Sequence, residues 1–89
     1  MDIYGYDEED NALDLNGGAL VYEDQRIEGE INIDDTTGKK FLSFTGVRYG
    51  KDYTLELDDT TYEIISGGVT NFTDYTKDYL GKSVYLRKK

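Results

Sequence analysis

The chain has 89 residues, 37% hydrophobic and 33% charged, and its 9 Tyr and 3 Phe supply the aromatic content that acidic disordered tails lack, so it is expected to fold as a single domain. It contains no Cys and no His, which excludes disulfide staples, thiolate metal sites, cysteine nucleophiles and imidazole acid–base chemistry. A net charge of −9 opposes direct binding to nucleic acid or anionic lipid and steers the chain toward basic surfaces.

From the N-terminus, residues 1–18 have the weakest pattern and read as a mobile acidic loop, with Ile3, Tyr4 and Tyr6 adding an edge strand. No basic flank or apolar run follows Met1, and no stretch approaches the ~18 apolar residues of a membrane span. The expectation is a soluble, cytoplasmic protein with no membrane association. With no proline, glycine and Asx/Thr clusters set the turns. Ala19–Asp24 reads as a strand, and so does Arg26–Asp34, in which Ile27, Ile31 and Ile33 fall on one parity with Gly29 while Glu28, Glu30 and Asp34 fall on the other. The isoleucines are expected to pack and the carboxylates to face water. Asp34–Gly38 reads as a turn, followed by a strand over Lys40–Val47 with Leu42 and Phe44 inward. Tyr53–Asp58 alternates Tyr53, Leu55 and Leu57 against Thr54, Glu56 and Asp58. A second Asp-Asp-Thr-Thr loop at Asp58–Thr61 leads to a strand over Tyr62–Ser66.

Residues 71–80 break this rhythm. Phe72, Tyr75, Tyr79 and Leu80 recur at helical spacing, Asn71 can cap with Asp74 three residues on, and Gly81 follows, which predicts one short helix. Val84–Leu86 then returns to strand before the basic tail Arg87-Lys88-Lys89. The expected fold class is α+β, mostly β: a single small antiparallel sheet of four to six strands, as a meander or partly closed barrel, with one short helix near residues 71–80.

Chemistry is limited by the residue types present. A pair of carboxylates can hydrolyse a glycoside only inside a cleft, which so short a chain has little wall to build, so no enzyme and no cofactor are expected. Acidic loops at Asp7–Asp14, Asp34–Thr37 and Asp58–Thr61 offer hard oxygen ligands, but none carries the EF-hand spacing. Asn71-Phe72-Thr73 matches a glycosylation sequon, a pattern common by chance. Among the tyrosines, Tyr53, Tyr62, Tyr75, Tyr79 and Tyr85 fit interior parity or the helix stripe, whereas Tyr4, Tyr6, Tyr22 and Tyr49 lie beside acidic or loop segments and are candidates for contact.

The acidity itself is uneven. Residues 1–35 carry twelve carboxylates against Arg26 alone, whereas residues 36–89 carry seven against nine cations. Along a strand, carboxylates two residues apart stand about 6.5–7 Å from each other. Glu28, Glu30 and Asp34 therefore read as a ruler of negative charge, extended by Glu23 and Asp24 and by Asp7, Glu8, Glu9 and Asp10. In size and charge the chain resembles the small acidic inhibitors of phages and mobile elements, anti-CRISPR-like proteins that occupy the DNA- or RNA-binding groove of a host defence or repair protein. That resemblance implies a non-enzymatic nucleic-acid mimic whose partner is a protein with a basic surface, bound by those carboxylates together with Tyr4, Tyr6 and Tyr22. Two alternatives are a small β module that binds carbohydrate or calcium through Tyr and acidic loops, and a structural assembly subunit.

Overall fold

The computed structural model describes residues 1–48, 50–71 and 81–89. Among these residues ten strands follow one another: β1 (Asp2–Tyr6), β2 (Ala12–Leu13), β3 (Gly18–Tyr22), β4 (Gln25–Glu28), β5 (Glu30–Ile33), β6 (Lys40–Ser43), β7 (Asp52–Leu57), β8 (Tyr62–Ser66), β9 (Val69–Asn71) and β10 (Lys82–Lys88). They form two sheets. One has the order β5-β6-β1-β10-β8, with β2 also paired to β1, and the other has the order β4-β3-β7-β9. The protein is thus mostly β, but two sheets replace the single sheet expected, and β1 pairs with β10 in parallel. An open meander of hairpins, in which each strand pairs only with its antiparallel neighbours in sequence, does not place the first and last strands side by side in the same direction.

Alternation explains what fills the space between the sheets. Ile3, Leu42, Val84 and Leu86 from the first sheet meet Leu20, Tyr53 and Leu55 from the second, and Leu15 and Phe44 enter from connections; all nine are buried. Each lies on the inward parity of its strand or within two residues of a strand's end, so burial of apolar side chains supplies the main driving force for closing one sheet on the other.

Strand β1 corrects the expectation for residues 1–18. Instead of a mobile loop or edge strand, Asp2–Tyr6 is interior, paired with β10 on one side and with β6 and then β2 on the other. Gly5 hid this in the sequence, because it occupies the apolar row next to Ile3. A Cβ there would lie 2.7 Å from Leu15 Cδ2, so only glycine lets Leu15 pack against the strand.

The stretch Arg26–Asp34 is likewise two strands rather than one. Gly29 divides β4, which pairs with β3, from β5, which pairs with β6. The Gly29 N–H still donates to Gly18 O at 2.9 Å, and a Cβ at Gly29 would stand 2.9 Å from the Phe44 ring. The chain passes from one sheet to the other where no side chain is tolerated. Beyond it, Ile31 and Ile33 are 46% and 63% exposed, against the expectation that they pack. Their parity is inward, as the pairing of Ile31 with buried Leu42 shows, but β3 begins only at Gly18, opposite Gly29, and does not reach them.

The helix expected over 71–80 falls, beyond Asn71, outside the described residues. Asn71 itself ends β9 in register with Asp52, and among the described residues there is no helix. The β6 ladder ends at Ser43 instead of Val47, although Phe44 remains buried.

Candidate partner-binding face

Because paired residues project to the same side of a sheet, the registers assign the outward face of the first sheet residue by residue. Asn32, Phe41, Tyr4 and Ser83 lie across it in one row, Glu30, Ser43 and Asp2 in a second, and Tyr6 and Tyr85 in a third. Tyr4 stacks on Phe41 with ring centroids 4.7 Å apart, and Tyr6 meets Tyr85 at 5.9 Å. These offset pairs bury ring faces that would otherwise be exposed to water. Tyr85 therefore corrects the expectation that it packs inside, since Val84 and Leu86 take the interior positions of β10. Tyr4 also covers Gly81, where a Cβ would meet its ring at 2.7 Å.

Polar groups lock the same face. Ser43 Oγ donates to Asp2 Oδ1 at 2.8 Å and accepts from Asn32 Nδ2 at 3.1 Å, so a neutral hydroxyl holds the Asp2 carboxylate. Burial raises the Tyr4 phenol above its ordinary pKa, and the Asp2 and Asp34 carboxylates add to the rise. Asp10 does the same to Tyr85, chiefly through its charge and also through a hydrogen bond. Ionising either phenol would add negative charge beside negative charge.

At the end of β1 the chain turns through Asp7–Asn11. Asp7 Oδ1 accepts the Glu9 and Asn11 N–H groups, each at 2.9 Å, and Asp10 adopts a positive φ of 63°. The Asn11 N–H is the main reason that the Asp7 carboxyl sits below its usual range. The turn thus projects Glu8, Glu9 and Asp10 into solvent. Beside it lies an open depression of about 310 Å³, lined by Asp7, Glu8, Glu9, Leu13, Tyr62, Leu86, Arg87 and Lys88. Arg87 Nε donates to Glu63 Oε1 at 2.8 Å, so this cation beside the turn is already paired.

Of the carboxylates expected to form one row, the structure gathers Asp7, Glu8, Glu9, Asp10, Glu30 and Asp34 on or beside this sheet. The others lie on the second sheet. Glu28 projects from its outward face, where Arg26 donates to Glu28 Oε1 at 2.6 Å and to Glu56 Oε2 at 2.8 Å. The row of Glu28, Glu30 and Asp34 is therefore not one ruler, because Gly29 turns β4 and β5 onto different sheets and Arg26 neutralises the first member. Glu23 and Asp24 make the two-residue turn of the β3–β4 hairpin, with Glu23 at a φ of 54°. Tyr22 packs on buried Tyr53 at 5.8 Å, with Lys51 Nζ 5.6 Å from its ring. Tyr49, Tyr75 and Tyr79 lie outside the described residues.

Asp2, Asn32, Phe41, Ser43 and Tyr85 belong to the face and were missed by sequence reasoning. Tyr4 and Tyr6 were marked by their place beside acidic segments; nothing local marks Phe41 and Tyr85 as their neighbours. The two Asp-Asp-Thr-Thr loops bond their own backbones, Asp34 Oδ1 accepting from the Thr36 N–H and Asp59 Oδ1 from the Thr61 N–H, both at 2.9 Å. Among the described residues no three acidic side chains converge as a metal ion would need. Compared with known proteins, the chain matches no family model, no curated protein and no solved structure. Its chemistry has to be read from its own residues.

Proposed function

We propose that this is a non-enzymatic binding protein of the phage-inhibitor type, which mimics nucleic acid and blocks the basic groove of a DNA- or RNA-processing protein in the cytoplasm. The observation that carries the reading is the outward face of the first sheet, where paired aromatic rings sit among the carboxylates of Asp2, Asp10 and Asp34, with Glu30 and the Asp7–Asp10 turn at its margins. Carboxylates held by hydroxyl, amide and backbone donors keep their charge. A basic groove that meets such a face gains attraction and releases counterions, and an arginine or lysine of the groove can stack on a tyrosine ring. Nucleic acid presents the same combination, aromatic planes flanked by anions.

Immobilised protein should capture nucleic-acid-binding proteins from a bacterial lysate, release them as salt rises, and lose them to competing DNA or RNA. Reversing Glu8, Glu9 and Glu30 together to lysine should weaken capture at least tenfold while preserving the fold, because all three are exposed. Reversing Glu23 and Asp24 should leave capture within about twofold, since they lie on the other sheet. Equal loss from both sets would show that the charge acts without regard to face and would end the proposal.

A further inference from the structure

The backbone of β5 is half used. Asp34 N–H donates to Lys39 O at 2.8 Å, and the register pairs Ile33 with Lys40, Asn32 with Phe41 and Ile31 with Leu42. In an antiparallel ladder hydrogen-bonded and non-hydrogen-bonded pairs alternate, so Asn32 bonds to β6 while the N–H and C=O groups of Ile31 and Ile33 point the other way. On that side β3 pairs with the chain only as far as Gly29, and among the described residues no strand pairs with Ile31 or Ile33. Two of the three exposed large apolar side chains among the described residues stand on this same edge. Strand β5 lacks three of the usual guards of a free edge, because it contains no proline, no lysine and no inward charge.

We infer that this edge receives an extended strand of the basic partner, in which aliphatic residues alternate with lysine or arginine. Its backbone bonds the free groups of Ile31 and Ile33, its aliphatic side chains cover the two isoleucines, and its cations lie on the outward side beside Glu30, Asn32 and Asp34. The acidic face and the strand it captures then form one continuous surface. A second copy of this chain fits poorly: pairing β5 with itself about Asn32 sets Glu30 of one copy against Asp34 of the other, twice, between two chains of net charge −9.

This inference takes the basic partner from the proposed function and adds the mode of engagement, so the test separates the two. The probes are the peptides Lys-Val-Lys-Val-Lys and Ser-Val-Ser-Val-Ser, and the readouts are affinity and amide hydrogen exchange of the intact chain. Saturating Lys-Val-Lys-Val-Lys should slow exchange at Ile31 and Ile33 at least tenfold. Ile33→Pro removes the edge-facing N–H together with the exposed isoleucine side chain and should weaken binding at least tenfold with the β6 pairing kept. Binding with no protection at Ile31 and Ile33 would overturn the edge and leave the charge reading standing. Equal affinity and protection from Ser-Val-Ser-Val-Ser would overturn the basic occupant and with it the charge reading. A dimer protected at Ile31 and Ile33 without peptide would assign the edge to a second copy and overturn the inference.

Discussion

Both sheets present carboxylates outward, but they hold them in different company. On the second sheet Arg26 reaches two of them, Glu28 on its own strand and Glu56 on β7, and halves the negative charge of the pair. On the first sheet Asp2 is held by Ser43, Asp7 by backbone N–H groups, and the space between is filled by the Tyr4–Phe41 and Tyr6–Tyr85 pairs. Hydrogen bonds from neutral donors fix a carboxylate without cancelling its charge, whereas a guanidinium does both. Acidity counted along the chain is therefore a poor guide to where a field is directed; the position of a single arginine divides a charged face from a solvated one.

The largest test of the comparison addresses what both faces share. Leu42 lies beneath the first sheet and Leu20 beneath the second, each with no exposure, so Leu42→Ala and Leu20→Ala should each cost about 2–5 kcal/mol in denaturant unfolding. Transitions that fail to coincide between a probe in each sheet would show that the sheets do not unfold as one unit. Next, Gly29→Ala forces a methyl against the Phe44 ring at the point where the chain changes sheets and should cost about 1–3 kcal/mol. Melting unchanged by that substitution would mean that the ring moves aside readily and that the two faces are only loosely fixed relative to each other.

Smaller effects sharpen the contrast between the faces. Arg26→Ala should hardly change melting, because the pair is exposed and screened, yet it frees Glu28 and Glu56 and makes the second sheet resemble the first in charge. If capture of a basic partner then rises sharply, charge alone is sufficient; if it does not, the aromatic pairs and the β5 edge of the first sheet are required. The smallest effect is on the acid limb of stability. The Asp7 and Asp59 carboxyls lie below their unfolded values, Asp7 chiefly through the Asn11 N–H and Asp59 chiefly through the Thr61 hydroxyl. Their contribution is present above the unfolded value of about 3.9 and is lost as pH falls through the lowered folded values. Melts recorded from pH 5 downward should show a decline, and Asp7→Asn should flatten part of it. At the other extreme, Tyr4 and Tyr85 ionise above the ordinary phenol value when folded, so their contribution is present below about pH 10 and is lost as pH rises through the folded values.

Much of the fold could be read locally, and the misreadings have physical causes. Tyr53, Leu55, Leu42 and Phe44 alternate with polar neighbours and are buried, and Tyr62–Ser66 begins and ends where its flanking turns set it. Gly5 and Gly29 sit in apolar rows where a side chain would collide with Leu15 or Phe44, and to a reading of periodicity each looks like a gap or a neutral step. One hid an interior strand and the other hid a change of sheet. Ile31 and Ile33 have the parity of core residues and lack only a strand opposite them, an absence that no stretch of nine residues can record.

By itself, the sequence determined that the protein is built of short strands, which residues of β6 and β7 face inward, where Asp and Thr turns interrupt them, and that acidity concentrates in residues 1–35. These depend on side-chain period and on bonds between residues two to four apart, which are the same wherever the segment lies. The tertiary structure decided that β1 lies between β6 and β10, that Tyr85 faces Tyr6, that Arg26 spans 30 positions to Glu56, and that the acidic row divides at Gly29. Each depends on which strand lies beside which. That choice is made by burying a common core across long stretches of chain, and no local pattern encodes it.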